Sequence, residues 1–236
     1  MPKVKIADLI IDIQNKYRYL EKQCADYIYD GDEPVDFTVS VTQEEMDAEA
    51  KEYDEEFHSA LLESTCAYRQ IAMELPQRDA LLMHGATFAI DGRGIIFIAR
   101  SGVGKSTHTM LWQKLYGDKL TIVNGDKPII RFYDGIPYAY GTPWAGKEKL
   151  QNNIRVQLTD ICILERGIEN STVKVDPADY LDQIMQQVLR PADPFVALKS
   201  LELVDMLSKK CNFWNIKCNI SDDAAITSHD AIFNIK

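Results

Sequence analysis

The clearest structural signal in this chain is the segment Ile95-Ile96-Phe97-Ile98-Ala99-Arg100-Ser101-Gly102-Val103-Gly104-Lys105-Ser106-Thr107. It passes from an apolar run, typical of a buried strand, through a glycine-bearing loop into helix-forming residues that continue to Tyr116. Glycines in such a loop let backbone N–H groups turn inward around an anion, and the N-terminus of the following helix adds its dipole. The spacing departs from the strict motif at Ala99, where a glycine is expected. We predict a strand, a phosphate-binding loop and a helix; the alternative is a glycine turn that happens to contain Lys-Ser.

Two side chains of this segment have distinct predicted roles. Lys105 supplies a point charge for the β- and γ-phosphates of a nucleotide, and the Ser106 hydroxyl is placed to ligate Mg²⁺. The backbone of the loop supplies the other contacts. The predicted nucleotide-binding residues are Arg100, Ser101, Gly102, Val103, Gly104, Lys105, Ser106 and Thr107.

Length and charge exclude several classes of protein. The 236 residues carry a formal net charge of −10, and 46% of them are hydrophobic. A chain of this size can bury a sizeable core, as one domain or as a domain with a small lobe. Its acidity argues against a nucleic-acid partner, which requires a basic face. No apolar run approaches the roughly 20 residues that span a bilayer, so no membrane partner is expected.

Cysteines and the N-terminus bear on the compartment. The cysteines at 24, 66, 162, 211 and 218 form neither a CxxC pair nor a Cys/His group, which favours reduced and largely buried thiols. Asp8 and Asp12 interrupt the apolar residues near the N-terminus, which is not the pattern of a signal peptide. We therefore expect a cytoplasmic protein.

By its sequence pattern the chain divides into residues 1–76 and residues 77–236. The first part is predicted to hold strands at 3–13, as one strand or as a hairpin arm, and at 36–41, where apolar side chains alternate. Residues 16–33 show no assignable pattern. The second part is predicted to be the catalytic domain, and the two parts to form one compact unit.

A long helix is predicted to close the N-terminal part. Thr42 and Glu45 have the spacing of a capping box, and apolar positions continue at intervals of three and four from Met46 to Ile71. The acidic residues between 44 and 56 are interpreted as a solvated helix face. A docking surface for a basic partner is the alternative.

Short apolar runs separated by turns follow Pro76. Short strands joined by hairpins favour a mixed α/β or α+β sheet over a long βαβ series. Strands are predicted at 80–84, 86–90, 95–99, 120–123, 128–132, 137–140, 155–165 (one long strand or a pair) and 213–220, and helices at 107–116, 178–189, 194–208 and after Ser221, which is predicted to cap the last one.

A phosphate loop requires a carboxylate at the end of a neighbouring strand to hold a metal or to position a substrate. Asp126 is the best candidate because it follows an apolar strand and because Gly125 permits close approach of the backbone. A strand-end turn without function is the alternative. Further candidates are Lys127 and Lys147 as phosphate or substrate contacts, Glu148 as a second metal ligand and, more weakly, Arg190 as a phosphate-sensing arginine.

The four histidines receive different interpretations. His84, with Gly85, is predicted to lie on the strand before the loop strand, where a hairpin would let it face the γ-phosphate; a packed core histidine is the alternative. His108, on the first turn after the loop, is predicted to lie on the exposed face of its helix. His58 and His229 are predicted to lie on helices without identifiable partners.

The order His84-Gly85, glycine turn, strand, Ser-Gly-Val-Gly-Lys-Ser loop and Asp126 at a strand end resembles the catalytic domain of the HPr kinase/phosphorylase family. That domain is related in fold to the ATP-dependent phosphoenolpyruvate carboxykinases. The resemblance runs most clearly from about Ala80 to Arg131, and the chain looks like a stand-alone bacterial member. It departs from the family at Asp126, whose neighbours are Gly125 and Lys127 rather than a second aspartate, and it lacks an evident glycine-rich segment for the reverse reaction.

The resemblance implies an HPr-kinase-like α/β domain that uses ATP and Mg²⁺ to phosphorylate a hydroxyl of a peptide or protein serine, or of a small molecule. It implies that Lys105, His84 and Asp126 are the catalytic residues, with Asp126 as the base or as a metal ligand. The family also makes a homo-oligomer possible. A nucleotide hydrolase or switch and a non-catalytic ATP-binding module are the alternatives.

Overall fold

The computed structural model describes residues 3–53, 57–189, 191 and 193–234. It has the mixed α/β architecture that the sequence predicts, with a three-stranded sheet near the N-terminus and a nine-stranded central sheet. The strands are β1 (Val4–Ile6), β2 (Leu9–Gln14), β3 (Phe37–Ser40), β4 (Ala80–Leu82), β5 (Ala86–Ile90), β6 (Arg93–Ile98), β7 (Leu120–Asn124), β8 (Ile129–Tyr133), β9 (Ile136–Tyr140), β10 (Arg155–Arg166), β11 (Ser171–Lys174) and β12 (Asn212–Cys218). The α-helices are α1 (Arg18–Gln23), α2 (Gln43–Ala50), α3 (Ser59–Glu74), α4 (Lys105–Tyr116), α5 (Leu181–Met185), α6 (Pro194–Lys210) and α7 (Asp222–Phe233).

Strand β10 joins the two halves of the central sheet, and it is one long strand rather than a pair. Its first residues, 155–157, pair antiparallel with β9, which continues to β8 and β4. Further along, β10 pairs in parallel with β6 on one side and with β12 on the other. From β6 the sheet continues antiparallel to β5 and then to β7. Strand β11, which the sequence pattern did not reveal, pairs antiparallel with β12.

Strand β6 is apolar on both faces because helices cover both faces of the sheet. Ile96 and Ile98 belong to a core cluster that also contains residues of α5 and α6. The alternating residues Ile95 and Phe97 belong to a second cluster, with Trp112 of α4 and residues of α7. Because successive side chains of a strand point to opposite faces of the sheet, β6 contributes to two separate cores. Full burial of side chains of this size contributes about 1.5–3 kcal/mol each to folding.

The strand order brings the sequence motifs to one edge of the sheet. Strand β5 is antiparallel to both β6 and β7, so β6 and β7 run in the same direction and their carboxyl ends meet at the same edge. The glycine-bearing loop follows β6, Asp126 follows β7, and His84 precedes β5 at this edge. Ligand sites of α/β sheets lie at the carboxyl ends of parallel strands, which makes this edge the candidate site.

The N-terminal region packs on this framework through a core of its own. The predicted strand at 3–13 is a hairpin of β1 and β2, which turns at Ala7 and Asp8 with left-handed φ values of 52° and 57°. Strand β3 then pairs in parallel with β2. The core cluster beneath these strands also contains Leu82 and Trp144 of the later part of the chain.

The single long helix predicted from Thr42 to Ile71 is wrong. Helix α2 ends at Ala50 and α3 begins at Ser59. Thr42 does form the predicted capping box with Glu45, but the acidic residues that follow accumulate at the C-terminal end of α2, where they oppose the helix dipole. His58, predicted to lack a partner, is the N-cap of α3, and its Nδ1 accepts a hydrogen bond from Ala60 N. Part of the predicted acidic face, residues 54–56, lies outside the described residues.

The C-terminal third differs from the prediction in two places. The helix predicted at 178–189 is a 3₁₀ turn followed by the short α5, which ends at Met185. The next residues run beside β4 instead, so that Gln187 O accepts a hydrogen bond from His84 N at 2.7 Å. Ser221 occupies the N-cap position of α7, but its side chain makes no capping bond and donates to Asn219 Oδ1 at 2.6 Å.

The cysteines are free, as expected, and Cys24, Cys66 and Cys162 are buried. Burial raises the pKa of the Cys24 thiol to about 12. The thiolate is the reactive form of cysteine, so burial disfavours the reactive form of Cys24. Among the described helices, none has the length and apolar content needed to traverse a bilayer.

Candidate functional site

The loop between β6 and α4 contains two glycines in left-handed backbone conformations. Gly102 and Gly104 have φ values of 77° and 125°, which an L side chain rarely adopts. A Cβ atom at either position would meet no heavy atom within 4 Å, so the backbone there faces open space. Gly104 is the N-cap of α4, and the N-terminal N–H groups of that helix follow directly. An approaching anion therefore meets backbone amides and the positive end of a helix dipole.

Lys105, the first residue of α4, folds back over this loop. Its Nζ donates a hydrogen bond to Ala99 O at 3.1 Å. Burial lowers the pKa of the Lys105 ammonium; the carboxylate of Asp126 opposes this shift, and the charge of Lys127 adds to it. Lys105 follows the loop after β6 and Asp126 follows β7, so both residues lie at the edge of the sheet where these two strands end.

Asp126 is held between two cationic or donor side chains. His84 Nε2 lies 3.2 Å from Asp126 Oδ1, and Lys127 Nζ lies 3.0 Å from Asp126 Oδ2. Burial acts to raise the pKa of Asp126, but the hydrogen bond from His84 and the charge of Lys127 prevail, so that the pKa is lowered. The side chain of Asp126 remains 28% exposed. Asp126 is therefore an ionised carboxylate in contact with solvent.

Asn124, which the sequence analysis missed, fixes the backbone beneath this carboxylate. Its Oδ1 accepts hydrogen bonds from Asp126 N at 2.8 Å and from Lys127 N at 2.7 Å. Its Nδ2 donates to Thr142 O at 3.0 Å, and Thr142 Oγ1 donates to Lys127 O at 2.7 Å. The side chain of Asn124 is buried, so these bonds are costly to leave unmade. The signal in the sequence was an amide residue that ends an apolar strand directly before Gly-Asp.

Arg166 is a second residue that sequence reasoning missed. It lies at the carboxyl end of β10, which is parallel to β6, and its Nη2 donates to Gly102 O at 2.6 Å. This bond ties the outer side of the glycine loop to the neighbouring strand. The sequence signal that could have identified Arg166 was its position, as a cationic residue, at the end of a strand parallel to the loop strand.

The remaining predicted site residues differ in where they lie. Ser106 is partly buried on the first turn of α4, whereas Arg100, Ser101 and Thr107 are exposed. Lys147 and Glu148 lie in the exposed loop after Gly146, where a Cβ atom on Gly146 would be 3.2 Å from Asp126 Cβ and 3.5 Å from Glu148 Oε2. Glu148 is thus brought to the neighbourhood of Asp126. Arg190 lies outside the described residues.

Two histidine predictions are wrong. His108 is not exposed: it is 2% exposed, its Nε2 lies 3.2 Å from Ser228 Oγ, and burial lowers its pKa to about 4. The side chain points into the core between α4 and α7 and is neutral at physiological pH. His229 has partners, because its ring stacks on Tyr116 with centroids 4.3 Å apart and its Nδ1 lies 3.1 Å from Asp230 Oδ1. Both are packing residues of α4 and α7, whose amphipathic faces meet there.

A metal at this edge would depend on few protein ligands. Within the described ranges, no three His, Cys, Asp or Glu side chains are grouped to hold a metal ion. Mg²⁺ commonly binds through one or two carboxylates while retaining waters and substrate phosphates. The Ser106 hydroxyl and the Asp126 carboxylate fit that mode of binding, and Glu148 is a nearby residue that would supply a second carboxylate.

Asp126 and Lys127 also line a cavity of about 790 Å³ between the central sheet and the N-terminal region. Its other walls come from α1, from α3 with the residues before it, and from the loop of residues 143–151. It is larger than the cavities of about 400 Å³ beside Asp8 and about 530 Å³ beside Thr121. Of these three cavities, it is the one that contains the candidate carboxylate.

No protein-family model matches the chain, and no curated protein sequence matches it. Among solved structures, the chain is similar to the HPr(Ser) kinase/phosphatase from Coxiella burnetii. The match covers 65% of this chain and 94% of that one, at 13% sequence identity and a TM-score of 0.36. A similarity of this degree carries no information about activity.

Proposed function

We propose that this protein is an ATP- and Mg²⁺-dependent phosphotransferase that acts on a hydroxyl group. One observation carries the proposal: the carboxylate of Asp126 lies at the same sheet edge as the glycine loop and Lys105, and it also lines a large cavity. A phosphate-binding element on one side and a cavity on the other are what transfer between two substrates requires.

Each side chain has a defined part in the proposed reaction. The loop amides and Lys105 bind the β- and γ-phosphates of ATP, and the helix dipole of α4 adds to their field. Asp126 accepts the proton of the acceptor hydroxyl as the acceptor oxygen forms its bond to the γ-phosphorus. The bond between the γ-phosphorus and the β–γ bridging oxygen breaks, and ADP leaves with that electron pair. The products are ADP, the phosphate ester and one proton.

His84 and Lys127 are positioning residues in this scheme. Both hold the carboxylate of Asp126 in place, and their hydrogen bonds keep it ionised. Ser106 and Asp126 would hold Mg²⁺, which supplies charge neutralisation at the transferred phosphate when it is bound. Much of the rate enhancement is then positional and electrostatic.

The experiment that tests the proposal follows γ-labelled ATP with Mg²⁺ and a fractionated bacterial lysate. Label is traced into peptides, into small molecules and into free phosphate. Label in an acceptor pool that falls by about 10²–10⁴-fold in Asp126→Asn and disappears in Lys105→Ala supports a kinase. Lys114→Met is the matched control, because Lys114 lies on the same helix and pairs with the exposed Asp222.

Two other outcomes would replace the proposal. Label released as free phosphate, at a rate that no lysate fraction changes, identifies a nucleotide hydrolase or switch. Tight ATP binding without ADP formation identifies a binding module, for which the single aspartate at the end of β7 would be the structural reason.

A further inference from the structure

The cavity beside Asp126 has an aromatic wall. Tyr68 and Trp144 line it with ring centroids 5.9 Å apart, and Tyr53 and Phe57 line it with centroids 4.2 Å apart. Phe57 is 42% exposed, although a side chain of its size is usually buried in a core. Aromatic rings gathered around one concave surface are typical of a site that binds an apolar or aromatic group.

Positive side chains predominate among the described residues that line the cavity. Lysines outnumber aspartates there, although the whole chain carries a formal net charge of −10. Three of these lysines, Lys22, Lys147 and Lys149, have no carboxylate partner among the described residues. Unpaired ammonium groups around a concave surface attract an anion. The lining lysines are Lys22, Lys127, Lys147 and Lys149, and the lining aspartates are Asp26 and Asp126.

A hydrogen-bond network holds the walls of the cavity in place. Trp144 Nε1 donates to Ser64 Oγ at 3.0 Å, Ser64 Oγ donates to Gln23 Oε1 at 2.6 Å, and Gln23 Nε2 donates to Pro143 O at 3.1 Å. The network links α1, α3 and the loop after β9. The N-terminal region and the central sheet thus build the cavity together, and its shape is formed before a ligand arrives.

We propose that this cavity binds the phosphoacceptor, and that the acceptor is a small hydroxyl compound with an apolar or aromatic body and an anionic group. The inference rests on the proposed function. A volume of about 790 Å³ suits one small molecule, since ligand cavities measure about 300–1,000 Å³. The rings bind the body, the lysines bind the anion, and the hydroxyl reaches Asp126.

Binding is measured first without ATP, so that the result does not depend on catalysis. Three hydroxyl compounds test the contributions of the ring and of the carboxylate separately. 3-Phenyllactate carries both groups, its methyl ester carries the ring without the carboxylate, and lactate carries the carboxylate without the ring. Calorimetry or ligand-observed NMR gives the dissociation constants. We expect 3-phenyllactate to bind about tenfold more tightly than either of the other probes. Equal affinities for the three probes, or no binding of 3-phenyllactate, would overturn the inference.

A pair of variants places this preference in the cavity. Lys22→Gln combined with Lys149→Gln should remove about tenfold of the affinity for 3-phenyllactate and leave that for its ester unchanged. Lys174→Gln is the control, because Lys174 is exposed on β11 and does not line the cavity. An unchanged affinity for 3-phenyllactate in the double variant contradicts the inference. If binding follows the prediction but ATP and Mg²⁺ yield no phosphate ester with any lysate fraction, the kinase proposal fails and the anion-binding cavity stands.

Discussion

At the scale of single residues, the proposed chemistry depends on how Asp126 stays ionised in a partly buried position. Burial alone would raise its pKa, and the donors around it reverse that effect. His84 lies just before β5 and Lys127 lies in the turn after β7, so the ionisation of Asp126 depends on segments next to two neighbouring strands. A base that is ionised well below neutral pH is available for catalysis throughout the physiological range.

The first prediction concerns pH. His84→Leu removes the hydrogen-bond donor to Asp126 Oδ1 while most of the side-chain volume remains. Burial, which raises the pKa of Asp126, is then opposed by one donor fewer, so the pKa of Asp126 rises. The carboxylate is the active form and is lost as the pH falls through its pKa. The acidic limb of the pH–rate profile therefore moves to higher pH than in the wild-type protein. A ¹³C NMR titration of the Asp126 carboxyl measures the same shift directly, even if the variant has little activity.

His84→Gln is the matched control for this prediction, because the glutamine amide offers an N–H donor at a similar reach. It should titrate closer to the wild-type protein than His84→Leu does. If the Asp126 carboxyl titrates at the same pH in His84→Leu and in the wild-type protein, His84 has no part in holding it ionised.

At the scale of elements, the strand–loop–helix unit β6–α4 is almost completely a local property of the sequence. The apolar run, the glycines and the helix formers each favour their own conformation, and they do so in the right order. The break between α2 and α3 was not predicted, because the spacing of apolar residues continues across it. The spacing of apolar residues indicates which helix face is buried. It does not show whether that face belongs to one continuous helix or to two helices with different axes.

The second prediction concerns Gly104. Its φ of 125° lies in a region that an alanine adopts at a cost of about 1–3 kcal/mol, while the added Cβ meets open space. Gly104→Ala should therefore distort the loop and lower the affinity for ATP about tenfold or more without a steric clash in the core. Isothermal calorimetry with ATP and Mg²⁺ gives the affinity, and circular dichroism checks the fold.

Gly92→Ala is the control for Gly104→Ala. Gly92 also has a left-handed φ, 77°, with open space around it, but it lies in the turn between β5 and β6 at the opposite edge of the sheet. Both substitutions should reduce stability, and only Gly104→Ala should reduce ATP affinity. Equal ATP affinity in the two variants would show that the loop is not part of the ATP-binding site.

At the scale of the whole molecule, an ion pair with a fully buried carboxylate joins the parallel strands β6 and β10. Asp160 of β10 is fully buried, and Arg93 of β6 donates to both of its oxygens, at 2.7 Å to Oδ1 and 2.6 Å to Oδ2 from Nη2. Trp214 Nε1 on β12 donates to the same carboxylate at 2.9 Å. Three neighbouring strands therefore depend on one charge pair, away from the candidate site.

The third prediction concerns this pair. Arg93→Met leaves the charge of Asp160 buried without its cation, which should lower the free energy of unfolding by about 3–5 kcal/mol. Lys114→Met removes an exposed pair with Asp222 and should cost about 0–1 kcal/mol. Urea unfolding measures both values. A loss below about 1 kcal/mol in Arg93→Met would mean that the pair does not hold the strands together, and Arg93→Met combined with Asp160→Leu should recover part of the loss.

The sequence by itself determined the mixed α/β class, most strands of the central sheet, the glycine loop and the position of Asp126 at a strand end, because these features depend on contacts between near neighbours in the chain. Tertiary structure alone decided that His84 reaches Asp126, that His108 is buried against α7, and that α1 and α3 close a cavity over the carboxylate. Those contacts join residues far apart in the chain, and they depend on strand order and on which helix face packs inward. Local patterns do not encode either of these, so the candidate acceptor site becomes visible only in the folded molecule.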